Sequence, residues 1–262
     1  MFYALHTASL GMQAQQMNID NIAHNLSNVN TTGFKKNRVE FQDLLYDMIR
    51  QPVTDENGQA APTGLYLGLG VRTAATQTMF NAGSLTSTNN PYDVAIVGDG
   101  FFKIEVPGQE EPLYTKDGSF KVDSAGTLVT TDGYRVIGVD EIAENATDFT
   151  IASDGTVTYK TPDSDDPVEA GRIELARFIN PAGLEHVGRN LYRLTAASGE
   201  ATDWDPEADG SISLEQNYLE ASNVQVVDEM VNMILAQRAY ETNSKIIQTS
   251  DEMLGIVNGL RR

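Results

Sequence analysis

"LEASNVQVVDEMVNMILAQRAYETNSKIIQTSDEML", Leu219 to Leu254, carries one apolar residue every seven positions: Leu219, Val226, Met233, Tyr240, Ile247 and Leu254. A sevenfold row of this kind marks a helix that meets another helix along a seam. Met230 opens a second row that continues in polar Gln237 and Ser244, and Val227, Val231, Ile234 and Leu235 form a further apolar flank. The helix therefore offers more than one contact face. Ser222 or Asn223 is the expected N-cap. From there to about Asn258 the helix would span roughly 50 Å at 1.5 Å per residue.

The opposite end of the chain shows the same spacing. Leu5, Met12, Ile19 and Leu26 are seven apart; Ala8, Ile22 and Val29 follow three later, with Gln15 interrupting that second row. Gly11 costs about 1 kcal/mol against alanine without breaking the pattern. The remaining faces are Gln, Asn, Ser and Thr rather than Lys and Glu, which fits a helix flanked by other helices. It should end near Asn28–Gly33, where Asn, Thr and Gly favour caps and turns. Pairing the two terminal helices leaves the second flank to pack on other copies of the chain. The expected subunit interface is thus Leu5, Met12, Ile19, Leu26, Val226, Met233, Tyr240, Ile247 and Leu254. Helices with narrow apolar stripes are marginal alone, so residues 1–30 and 220–262 are expected to order on assembly.

Between these ends the pattern changes to short alternating runs such as "DVAIVGDGFFKIEV" (93–106) and "DFTIASDGTVTYKT" (148–161). Asp-Gly pairs at 99–100, 117–118, 132–133 and 154–155 punctuate them, the strongest short hairpin cue. The predicted class is α+β: long N- and C-terminal helices as a coiled-coil-like pair, with a central all-β domain of hairpins. The expected divisions are 1–32 for the first helix, 33–70 for an extended linker and insert, 71–214 for the β domain and 215–262 for the last helix. Residues 51–70, with Pro and Gly and little periodicity, should be loop or extended chain; "RVEFQDLLYDMIR" (38–50) fits a short helix or a strand.

Formal net charge is −19, and residues 51–214 carry most of it: 1–50 sum to zero and 215–262 to −3. So acidic a chain is a poor match for nucleic acid or an anionic membrane surface. No cysteine is present, which excludes disulfides, thiolate metal sites and a cysteine nucleophile. No stretch approaches the ~18 apolar residues of a membrane helix, and the first residues lack the basic start and continuous apolar core of a secretory signal.

Little chemistry is legible. The three histidines, His6, His24 and His186, are too scattered for a metal or a triad. "DPEADGSISLE" (205–215) approaches a calcium loop but has Pro206 at its second position and Gln216 at its twelfth, so an acidic surface loop is the simpler reading. No two carboxylates stand out as a glycosidase pair, and a single tryptophan, Trp204, is few aromatics for a sugar platform. Lys35, Lys36 and Arg38 fit either a cluster at the negative end of the first helix or contact with an acidic neighbour. No cofactor, metal or catalytic residue is expected.

Four stretches nevertheless resemble one family. "MNIDNIAHNLSNVNTTGFKKNRVEFQDLLY" (17–46) and Leu219–Leu254 are similar to the N- and C-terminal signatures of bacterial flagellar rod and hook proteins. "NNPYDVAIVGDGFF" (89–102) and "LYTKDGSFKVDSAGTLVTTDGYRV" (113–136) resemble that family's β-domain motifs. Chain length and the stretch 43–73 resemble the distal-rod members, and a hook protein's further outer domain has no room. The resemblance implies a homo-oligomer in which terminal helices line a hollow tube and β domains face outward. It implies a torque-bearing rod that joins proximal rod proteins to the hook protein inside surrounding ring proteins. It also implies export without a cleaved signal to the periplasm-spanning basal body, with no nucleic acid bound and no membrane insertion. An extended insert at 51–70 that reaches a neighbour would stiffen such a rod. The rival readings are another axial protein of the family, a secreted β-domain binding module with a coiled-coil oligomeriser, and a carboxylate hydrolase.

Overall fold

The computed structural model describes residues 2–259 except 52, 55–59, 62, 110, 144, 163 and 208–209. The chain divides into two compact units, one of Met1–Ser27, Asn37–Gln77 and Gln225–Arg262, the other of Asn28–Lys36 and Thr78–Val224.

In the first unit, helix α1 (Phe2–Ser27) packs on helix α2 (Val226–Gly259). A Cβ on Gly11 would lie 2.8 Å from the Asn243 amide, and the Asn25 amide reaches Glu229 at 3.5 Å. Fourteen residues forward on α1 are fourteen back on α2, so the helices are antiparallel. The same register sets position 2 opposite position 252, and the last turns of α2 run past the start of α1. Helix α1 stops where the sequence says it should: Ser27 is its last residue, and Gly33 takes φ +65° in the turn that follows.

The described residues between 37 and 78 pair as a two-stranded ribbon. Asn37–Asp43 pairs with Val71–Thr78, Tyr46–Arg50 with Leu65–Gly68, and Val53–Thr54 with Ala60–Ala61. Backbone bonds from Leu44 to Gly70 and from Leu69 to Leu45 carry the ribbon across its first break. Within 51–70, expected as loop or extended chain, residues 53–54, 60–61 and 65–68 are strand, and the 38–50 stretch forms strands on either side of Leu44–Leu45 rather than a helix. Asn21 and Asn25, one turn apart on α1, anchor the root of the ribbon. Both amides donate to the Asn37 carbonyl, at 2.7 and 2.9 Å, and the Asn37 N–H donates back to Asn25 at 2.9 Å.

The second unit is all β. Its largest sheet has nine strands, with Phe101–Glu105 at the centre. One edge of that strand pairs with Leu113–Thr115. The other edge is shared by Arg135–Val136 and Leu175–Arg177. Phe102 and Ile104 point into a core with Val136, Val157, Ile173 and Leu214, while Phe101 points the opposite way, among Tyr114, Phe178 and Tyr192. That alternation is the period-2 side-chain direction of a strand buried on both faces. Two of the four Asp-Gly pairs make the expected hairpins: Gly133 joins Leu128–Val129 to Arg135–Val136, and Gly155 joins Thr147–Ile151 to Thr156–Thr161. The other two do not, because Val94–Val97 pairs with Ser213–Gln216 and Lys121–Val122 with Leu128–Val129.

Candidate assembly surface

The seam between α1 and α2 is made of small and polar side chains. On α1 the buried residues are Ala8, Ala14, Ile22 and Asn25; on α2 they are Glu229, Ala236 and Ser250, with half-buried Asn243 in the same sevenfold row. That row lies three residues after Val226, Met233, Tyr240 and Ile247, whereas the sequence reading placed the second row one residue later, at Met230. Met230 is exposed. The physical reason is close approach: Ala, Gly, Asn and Ser let the backbones come together, as Gly11 against Asn243 shows, and Ile22 is the one large apolar side chain among the buried residues named.

The residues expected at the subunit interface fall along the margin of this seam. Leu5, Met12, Ile19, Leu26, Met233, Ile247 and Leu254 are half-buried, and Val226 and Tyr240 are exposed. Beyond them α2 presents an uncovered apolar face. Val227 is 73% exposed and Leu235 60%, with Met230, Val231, Ile234, Ile256 and Val257 also open to solvent. A soluble monomer seldom shows so continuous an apolar surface unless something binds it. The ribbon adds to it, since Leu45 (83% exposed), Tyr46, Met48, Ile49, Leu65 and Tyr66 are all uncovered. A two-stranded ribbon is marginal without a face to pack on.

Asn223 does not cap α2, which begins at Val226. Its side chain accepts from the Lys36 N–H at 2.8 Å and donates to the carbonyls of Met79 and Asn81 at 2.8 and 3.0 Å. The basic cluster also separates. Lys35 is buried against Glu220, whereas Arg38 makes an exposed pair with Glu40 at 3.0 Å. Sequence reasoning missed both Lys35 and Asn223, because nothing local distinguishes a buried lysine from its solvated neighbour.

No group of three or more potential metal ligands occurs among the described residues. His6 and His24 are exposed on α1, and His186 shares a 2.8 Å hydrogen bond with Thr78. Within the calcium-like loop, residues 208 and 209 lie outside the described residues. No described helix is long and apolar enough to cross a membrane.

Three family models match the chain: "Flagella basal body rod protein" over residues 5–35, "Flagellar hook protein FlgE/F/G D1 domain" over 95–159 and "Flagellar basal body rod FlgEFG protein C-terminal" over 215–260. They fall on α1 and its turn, on the centre of the β unit, and on α2. Similar proteins include the flagellar basal-body rod protein FlgG of Borreliella burgdorferi, 51% identical over the whole of both chains. The FlgG of Caulobacter vibrioides is 45% identical over 98% of this chain and 99% of its own, and that of Bacillus subtilis 38% identical over the whole of both. Identity at this level, end to end and across both helices and the β unit, means that the chain belongs to the FlgG family of flagellar basal-body rod proteins.

Proposed function

We propose that this chain is a structural subunit of the flagellar distal rod, and that copies of it associate helically through α1, α2 and the ribbon into a hollow, rigid shaft that carries torque from motor to hook. The observation that supports this most directly is the division of labour on α2: small side chains meet α1, and Val227, Val231, Ile234 and Leu235 are left bare. Burying that face needs further helices of the same kind. Leu5, Met12, Ile19, Leu26, Val226, Met233, Tyr240, Ile247 and Leu254 would then border the contacts between copies. The chain acts without catalysis, and its neighbours are proximal rod proteins, the hook protein and surrounding ring proteins. It reaches the basal body by export without a cleaved signal peptide.

Two consequences belong to the same reading. Residues 1–30 and 220–262 order fully only on assembly, so their amides should exchange quickly in dilute monomer and slowly in polymer. The ribbon bridges neighbouring copies, so deleting residues 51–68 should give a curved or flexible polymer. The deciding experiment is electron microscopy of purified protein across a concentration series. Straight tubes are expected; a chain that stays monomeric at high concentration with both ends protected from exchange defeats the reading.

A further inference from the structure

The chain has no cysteine but eight methionines, so its thioethers are the groups that a peroxide oxidises first. The fold sorts them. Met12, Met79 and Met233 are half-buried, whereas Met17, Met48, Met230 and Met253 are exposed. An exposed thioether meets a small oxidant with the structure as it stands.

Met230, 53% exposed, differs from the others in its surroundings. On α2, Val226, Met230 and Ile234 follow one another at four-residue steps, and Val227, Val231 and Leu235 do the same. Side chains at that spacing stack along one side of a helix, so the six form two adjacent apolar rows. All six are exposed, and Met230 is the middle of its row. Glu229, the residue before it, turns the other way and is buried. Met17, by contrast, stands between Gln13 and Asn21 at the same spacing on α1. A thioether is soft and adaptable, which suits a packing surface; its sulfoxide is polar and does not.

We propose that Met230 is a site of reversible oxidation, and that its state sets whether copies of the chain associate. The proposal rests on the reading that α2 buries this face against other copies. Hydrogen peroxide transfers one oxygen atom to Met230 Sδ: the S=O bond forms, the O–O bond breaks and water leaves, with sulfur oxidised and peroxide reduced. The new oxygen is a strong acceptor placed among Val226, Val231 and Ile234, which offer it no side-chain donor. Burying it unpaired carries a cost that the thioether does not. Two thiols reverse the step, taking the oxygen away as water and closing to a disulfide, as in enzymatic sulfoxide reduction.

The test begins with full-length protein treated with hydrogen peroxide as dilute monomer and mapped by peptide mass spectrometry. Met17, Met48, Met230 and Met253 should gain oxygen before Met12, Met79 and Met233. The variant Met17→Leu/Met48→Leu/Met253→Leu then leaves Met230 as the one exposed methionine among the described residues. Peroxide should raise its critical concentration for pelleting on the order of tenfold, and methionine sulfoxide reductase should restore the starting value. Adding Met230→Leu should remove the response and leave the critical concentration of untreated protein unchanged. Circular dichroism checks folding; if the triple variant does not fold, wild type against Met230→Leu alone decides. Oxidation of Met230 without a rise in critical concentration overturns the proposal, and so does a rise of the same size after Met230→Leu. Untreated protein that never pellets overturns the assembly reading itself, and the proposal with it.

Discussion

Lys35 and Glu220, 185 residues apart, form an ion pair at 2.5 Å with side chains 0% and 2% exposed. The ammonium also donates to the Asn81 carbonyl at 2.9 Å, and Glu220 Oε1 accepts from the Gly83 N–H at 2.7 Å. Glu220 Oε2 is buried with no partner among the described residues. The pair thus ties together the segment after α1, the segment at 81–83 and the strand that leads towards α2. Breaking one side of a buried pair leaves an uncompensated charge. Lys35→Met should therefore cost about 3–5 kcal/mol, read by urea unfolding followed through Trp204. The double variant Lys35→Met/Glu220→Gln should recover part of that loss, because the glutamine carbonyl keeps the Gly83 bond and no bare charge remains. Equal losses in the single and double variants would show that the charge itself is not what matters.

Lys116 gives the β unit an unusual pH response. Burial pulls its ammonium down from the ordinary 10.5 to about 8; Glu220 pulls it back up and Lys35 pushes it further down. Its Nζ donates to the Gly98 carbonyl at 2.9 Å and sits over the Phe101 ring. The folded value lies below the unfolded one, so between pH about 8 and 10.5 the unfolded chain holds more protons. Stability should rise with pH across that window, by on the order of 3 kcal/mol, and be flat with respect to this group below it. Denaturation midpoints measured from pH 7 to 10.5 check this. Lys116→Met should abolish the rise, and a wild-type midpoint that only falls across the window would contradict the assignment.

Identical Asp-Gly pairs should respond differently to the same substitution. A Cβ on Gly118 would lie 1.7 Å from the Val94 carbonyl, in backbone that cannot move aside. A Cβ on Gly133 meets nothing within 4 Å, although φ there is +85°. Gly133→Ala should cost about 1–2 kcal/mol, the penalty of a left-handed conformation. Gly118→Ala should cost more than about 4 kcal/mol, in the range reserved for overpacked cores and strained backbone. Thermal melts of the two variants compare them directly.

That contrast also shows what could be read in advance. Both terminal helices were legible because a sevenfold apolar row persists over many turns, and the β class was legible from alternation with turn residues. Which Asp-Gly makes a hairpin was not, because Gly118 is set by a strand more than twenty residues earlier. The pairing of the ribbon was not legible for a related reason, although strand and extended chain were among the readings of 38–50 and 51–70. Its stretch has exposed apolar residues on both faces and no alternation to betray a strand, and partners as distant as Asp47 and Leu67 define it. Lys35 and Asn223 were invisible as inward-facing groups because Glu220, the ionic partner of Lys35, and Met79, whose carbonyl Asn223 bonds, lie more than 100 residues away in sequence. On α2 the apolar rows were found, but the inward row at Glu229, Ala236, Asn243 and Ser250 was not, since it is made of small and polar residues that carry little hydrophobic signal.

The seam's composition leads to a quantitative test of assembly. Leu235 is 60% exposed and its neighbour Ala236 only 3%. If Leu235 is buried between copies in the polymer, truncation to alanine removes about 2–3 kcal/mol per subunit, or roughly 30- to 150-fold in the critical concentration. The β unit's melt should not move, because the side chain touches solvent in the monomer. Leu235→Asp should abolish polymer altogether, since a lone carboxylate would have to be desolvated at each contact. Gln237→Ala, exposed but polar, should leave the critical concentration unchanged and serves as the control. Pelleting assays over a concentration series give all of these values. An unchanged critical concentration for Leu235→Ala would mean that this face stays wet in the assembled state, and that α2 meets its neighbours through the half-buried row of Met233, Ile247 and Leu254 instead.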